Sequence, residues 1–287
     1  MTKIKEPRPN ESYFGWEEGS ITFIDEPVTR GGPGSGHFEH EGRPGQVGGS
    51  LPSKSIKDLL HVPRTKRWDD IRVALDAIDR VHVMDDSMEL LPLKASKSYR
   101  TGGMYRYKLR TGWQLDMFVV LNEFAELDEE DTEVQSNMLH ETAHWIDHMM
   151  IGVPRRFASP EYVTHELATP DAEAIANWRK VVKESEAMKA LLRFTGGSVD
   201  VKINGDISYY YSFDFVRKAG SWKETFARSY AQWIAHKSGD QGLRSYYDKE
   251  LLKIENGAAP LTWEWDDFQP VASAIDDIFR SRGWLNE

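Results

Sequence analysis

Cysteine is absent from the 287 residues, which removes disulfides, thiolate metal ligands and a cysteine nucleophile together. Any metal bound here has to be held by histidine and carboxylates. Also absent is an uncharged apolar run of about 18 residues, the length a membrane-spanning helix needs, so no membrane partner is expected. Basic charge is in deficit: 36 Lys and Arg face 46 Asp and Glu, a formal charge of −10. No basic patch reverses that balance, which disfavours sequence-independent attraction to nucleic acid. The stretch Met1 to Trp16 is charged, carries Pro7 and Pro9, and lacks the apolar centre of a secretory signal. A soluble chain made in a cytoplasm is the expectation.

Hydrophobic residues make up 40% of the chain and ten are Trp, enough to bury a sizeable core. Glycine is concentrated between Gly31 and Ser50, where too little apolar surface exists to offset backbone entropy. Three segments follow: an N-terminal arm (1–30), a glycine-rich linker (31–53) and a folded domain (54–287). His37 and His40 fall inside the glycine tract and make at best a weak metal site.

Within the domain, Ile71, Leu75 and Ile78 have helical spacing, and Val81-His82-Val83 alternates like a short strand. The runs 104–109 and 113–120 flank a turn near Thr111-Gly112 and predict an antiparallel hairpin. A helix is expected from Thr132, which with Gln135 has capping-box spacing; its buried stripe is Leu139, Ala143, Ile146 and Met150, and Gly152 and Pro154 end it. A second helix is expected from about Pro170, capped by Thr169, to Phe194. The runs 199–203 and 207–211 flank Asn204-Gly205, a strong hairpin signal. Two more helices are predicted, one from Ser221 to near Gly239 and one from Pro270 to about Arg282.

The run His140-Glu141-Thr142-Ala143-His144 falls in the middle of the first of these long helices. Residues four apart on a helix share a face, so His140 and His144 can present both imidazoles to one ion. Glu141 points elsewhere and is placed to take a proton from a water activated by that ion. A catalytic zinc ion usually takes three protein ligands, so Zn2+ is the expected cofactor and one more ligand is required. Glu224, Asp147, His148, His165 and Glu166 are the candidates. Glu224 comes from a separate helix and is geometrically the freest, although Ser221 and Glu224 also have the spacing of a capping box.

His140 to Asp147, followed later by Glu224-Thr225-Phe226-Ala227, resembles the gluzincin metallopeptidases of the lethal-factor-like group. The resemblance implies that His140, His144 and Glu224 hold the metal and that Glu141 is the base. It also implies an α+β, zincin-like domain with a small antiparallel sheet and an active-site helix, and a peptide substrate laid along a sheet edge, here from the hairpin Met104 to Val120. That group carries a Tyr seven residues before the third ligand to stabilise the oxyanion; this chain has Arg217 there. Tyr209, Tyr210 or Tyr211, or Arg217 itself, is left to supply that donor, with Tyr210 taken as the catalytic candidate.

The glycine tract is similar to a segment of tailed-phage head proteins. That similarity implies a phage or prophage source, phage head proteins as partners beside a protein or peptide substrate, and a location in the host cytoplasm or virion. The expected function is a zinc-dependent endopeptidase. An inactive virion structural or scaffolding protein and a toxin-like effector protease are the alternatives.

Overall fold

The computed structural model describes residues 55–61, 68–84, 91–96, 103–110, 114–122, 133–151, 157–159, 175–194, 196–202 and 206–286. The N-terminal arm and the glycine-rich linker, with His37 and His40, lie outside them. So do Thr132, Gly152, Pro154, His165, Glu166, Thr169 and Pro170.

In chain order the elements are α1 (Ile56–Leu59), β1 (Leu60–His61), α2 (Trp68–Val81), β2 (Leu91–Ser96), β3 (Gly103–Arg110), β4 (Gln114–Asn122) and α3 (Glu133–Ile146). A π-helical turn, Asp147–Ile151, extends α3. Next come α4 (Ala176–Glu184), α5 (Glu186–Arg193), β5 (Gly197–Lys202), β6 (Asp206–Tyr211), α6 (Phe213–Ala219), α7 (Trp222–Lys237), α8 (Gln241–Glu255) and α9 (Trp265–Arg280).

The expected α+β fold on a small antiparallel sheet is overturned. Most of the described residues are helical, and among residues of described burial the strands give only Tyr105 and Tyr211 to the core. The sheet that contains the 103–122 pair is mixed, in the order β1-β2-β4-β3. Its β1–β2 and β2–β4 pairs are parallel, and only β3–β4 is antiparallel, with Tyr105 opposite Val119. Local alternation reveals a hairpin but not the parallel partner that joins it from distant sequence.

The core is helix against helix, with Trp145, Trp178, Trp222, Trp233, Phe226, Phe268 and Phe279 fully buried. Trp233 stacks on Phe279 at 5.1 Å with planes 9° apart. Helix α3 packs along α7, and both are buried nearly all round. The stripe expected on α3 is thus only part of its buried surface: Val134, Met138 and Trp145 are buried as well. A helix covered on every side marks the centre of the molecule.

The ends differ from expectation where tertiary contacts decide them. The run 81–83 forms no strand of its own; His82 makes an isolated antiparallel bridge to Leu285 near the C-terminus. Chain 175–194 is two helices, broken at Ser185, whose backbone is extended and whose hydroxyl caps α5 at Met188 N. Trp263 Nε1 donates to that hydroxyl at 3.0 Å and holds the break in place. Helix α9 begins five residues before Pro270, leaving proline inside it. α6 and α8 were not foreseen.

Candidate metal centre

His140 and His144 lie one turn apart on α3, with ring centroids 4.8 Å apart and planes at 84°. Glu224 reaches them from the first turn of α7, where the helix dipole favours a carboxylate. Its Oε2 is 3.1 Å from His140 Nε2 and 3.7 Å from His144 Nε2. All three residues are at most 6% exposed.

The capping-box alternative for Glu224 is settled by the partners. Ser221 caps α7, its hydroxyl accepting from Glu224 N at 3.5 Å. The reciprocal half of the box does not form, because Ser221 N donates to Lys218 O at 2.9 Å and the Glu224 side chain is turned to the histidines.

Electrostatically the three groups are bound to one another. Burial pulls His140 down to about 4, only partly offset by Glu224. Burial also pulls on His144, but the hydrogen bond and charge of Glu224 leave it above its ordinary value. Burial alone would lift Glu224, yet the hydrogen bonds with His140 and His144 and the charges of His144 and Lys218 hold it well below the usual carboxylate range. A buried anion facing two imidazole nitrogens calls for a proton or a cation between them.

These residues fit zinc. Their ligand atoms lie within 4.8 Å of one another, and a tetrahedral zinc with bonds of about 2.0–2.1 Å sets its donors roughly 3.3–3.4 Å apart. The two Glu224 distances bracket that spacing. Two neutral imidazoles and one carboxylate are also a donor set that leaves a fourth position open.

Glu141 stands beside this group, 2% exposed. One carboxylate oxygen, Oε2, accepts a short hydrogen bond from the backbone N–H of Tyr105 on β3. The other, Oε1, is buried with no hydrogen-bond partner among the described residues. Burial pushes the Glu141 carboxyl up to about 7, against the pull of His144, so it is poised to exchange a proton near neutrality.

Of the other candidate ligands, His165 and Glu166 lie outside the described residues, and Asp147 and His148 are committed elsewhere. Asp147 is fully buried and its carboxylate accepts from Ser159 N at 3.0 Å and from the Ser159 hydroxyl. His148 Nδ1 meets the Tyr105 hydroxyl at 2.9 Å, and its ring stacks on Phe157 at 4.6 Å. Tyr211 is 3% exposed and packs against Phe194 and Phe215, so it is a core residue. Tyr209 and Tyr210 lie on β6, Tyr210 opposite Ser198, and their side chains fall outside the described residues. Arg217 is exposed on α6 and pairs with Asp214 at 3.4 Å.

Three residues at the site were missed by the sequence reading. Tyr105 looked like one member of an alternating strand, and only folding brings its amide to Glu141. Lys218 Nζ lies 3.8 Å from Glu224 Oε1. Arg228 lies one turn beyond Glu224 on α7, and this one had a signal, since Glu and Arg four apart on a helix are neighbours. No known protein family, curated protein or solved structure matches the chain.

Proposed function

We propose that the chain is a zinc-dependent peptidase in which His140, His144 and Glu224 hold the ion and Glu141 is the general base. The observation that carries this reading is the convergence of those three buried ligands beside a carboxylate with an unpartnered oxygen. A bound zinc ion would supply Lewis-acid polarisation of a peptide carbonyl and a water acidic enough to ionise near neutral pH.

The chain's own groups supply the rest. Glu141 Oε1 takes the proton of the attacking water and returns it to the leaving amine, while Tyr105 N–H fixes Oε2 and so orients the carboxylate. Tyr105 lies on β3, at the end of the sheet order, with its amide directed at the active helix. That edge is where an extended peptide would be added as a strand beside the metal.

Elemental analysis of the purified full chain tests the reading: about one zinc per chain is expected. Hydrolysis of an unfolded protein should stop on chelation and return with zinc. A chain that neither contains nor takes up a stoichiometric metal would overturn it.

A further inference from the structure

A cavity of about 100 Å³ opens beside the metal ligands, running from His140 and Glu224 along the N-terminal half of α3. Its walls are apolar at Phe215, Ala219 and Leu261 and carry the side chains of Tyr246 and Tyr247. That is room for a group of a few heavy atoms, smaller than the ~150 Å³ site that takes up benzene. Glu141 does not line it, so it lies to one side of the proton-transfer chemistry.

Charge in the cavity is unevenly placed. Lys218 and Arg228 both line it at the metal end. Arg228 uses Nη2 on Ala219 O at 2.8 Å and on Thr225 Oγ1 at 3.3 Å. Its Nε and Nη1 are buried with no hydrogen-bond partner among the described residues. Two carboxylates also line the cavity, but neither answers this need. Glu250 is paired with Lys253 Nζ at 2.5 Å, and Glu133 sits two turns down α3 from His140, about 10 Å along the axis. Glu224 is the anion that faces the two cations, and a divalent ion would draw on that same carboxylate. The metal end is then strongly positive, and the buried Arg228 guanidinium with two N–H groups left over is the costly charge there.

We propose that this cavity is a specificity pocket and that Lys218 and Arg228 bind a carboxylate of the substrate, next to the bond being cleaved. The inference rests on the reading of His140, His144 and Glu224 as a zinc site. The carboxylate comes either from an acidic side chain or from the free end of a peptide; both present the same planar anion to a guanidinium fork.

Binding of small hydroxamates to the zinc-loaded full chain, measured by calorimetry, separates the cases. N-acetylglutamate hydroxamate against N-acetylglutamine hydroxamate reports on an acidic side chain. Succinic monohydroxamate against its methyl ester reports on a chain end. At least tenfold tighter binding of the anion in one pair is expected, and the pair identifies the source. Arg228→Met should erase that preference, Arg228→Lys should keep part of it, and both should retain zinc. Should Arg228→Met fail to fold, Lys218→Met, at a side chain 34% exposed, should still reduce the preference severalfold. Equal binding within both pairs by a chain holding one zinc would overturn the pocket and leave the metal centre standing. An Arg228→Met chain that is less stable yet keeps the preference would also overturn it, reducing Arg228 to a cap on α6. Absence of zinc would instead remove the reading beneath.

Discussion

The carboxylate of Glu224 meets Nε2 of His140 at 3.1 Å, although the two residues stand 84 positions apart in the chain. Glu224→Gln keeps the side-chain shape and the backbone N–H that Ser221 caps, and it removes the charge. The variant should remain folded and lose metal affinity by at least tenfold, read as zinc content after dialysis against a weak chelator. Stoichiometric zinc retained at wild-type affinity would show that Glu224 is not the third ligand.

Glu141→Gln separates base from ligand. The amide oxygen still accepts from Tyr105 N–H, but the group no longer takes a proton from water. Hydrolysis should fall about 10²–10⁴-fold with zinc content unchanged. If zinc is lost together with activity, the assignment of roles is wrong.

Asp147 offers a control on the choice of ligand. Asp147→Ala would strand the Ser159 N–H and hydroxyl in a dry interior, at about 1–3 kcal/mol for each donor left without a partner. Asp147→Asn keeps an acceptor and should lose less. Both should bind zinc as the parent does, so unfolding midpoints should move while metal content stays put.

His82, which is not one of the candidate metal ligands, predicts an acid limb of its own. Burial holds this imidazole at about 4 against an ordinary 6.5; its Nε2 meets the Tyr230 hydroxyl at 2.6 Å, and its ring stacks on Phe279. Below pH 6.5 the unfolded chain takes a proton that the folded chain refuses. The stabilisation is therefore full above pH 6.5 and is lost as pH falls toward 4, by about 3 kcal/mol. Unfolding free energies of the metal-free chain between pH 4 and 7 should show a shallower acid limb for His82→Gln, which keeps a partner for Tyr230 and does not titrate. Identical slopes would mean that His82 is protonated in the fold.

What the sequence determined by itself is local. The spacing of His140, Glu141 and His144 on one helix follows from 3.6 residues per turn. The caps at Ser221 and Ser185, the latter unread, depend on side chains within three residues of the groups they satisfy. The Ile71, Leu75 and Ile78 stripe needed no knowledge of a partner, because any helix with that stripe must bury it. The hairpin of β3 and β4 was legible for the same reason, its two strands being nearly adjacent in the chain.

Tertiary structure alone decided the rest. Only the packing of α7 on α3 turns Glu224 from one of five candidate ligands into the neighbour of His140, and only that packing turns its side chain away from the helix cap. Asp147 and His148 carry the right chemistry, but the π-helical turn after Ile146 gives them to Ser159 and Tyr105. The parallel pairing of β2 with β4 joins residues 26 apart in sequence, Leu93 with Val119 among them, whose alternation says nothing of direction. Helical dominance of the core arises because Trp145, Trp178, Trp222 and Trp233 bury themselves against other helices, a choice of partner that no local pattern encodes. Tyr105 is the sharpest case. Its place in a strand was written in its neighbours, while its contact with Glu141 depends on how that sheet edge meets the helix, a long-range arrangement set by the whole core.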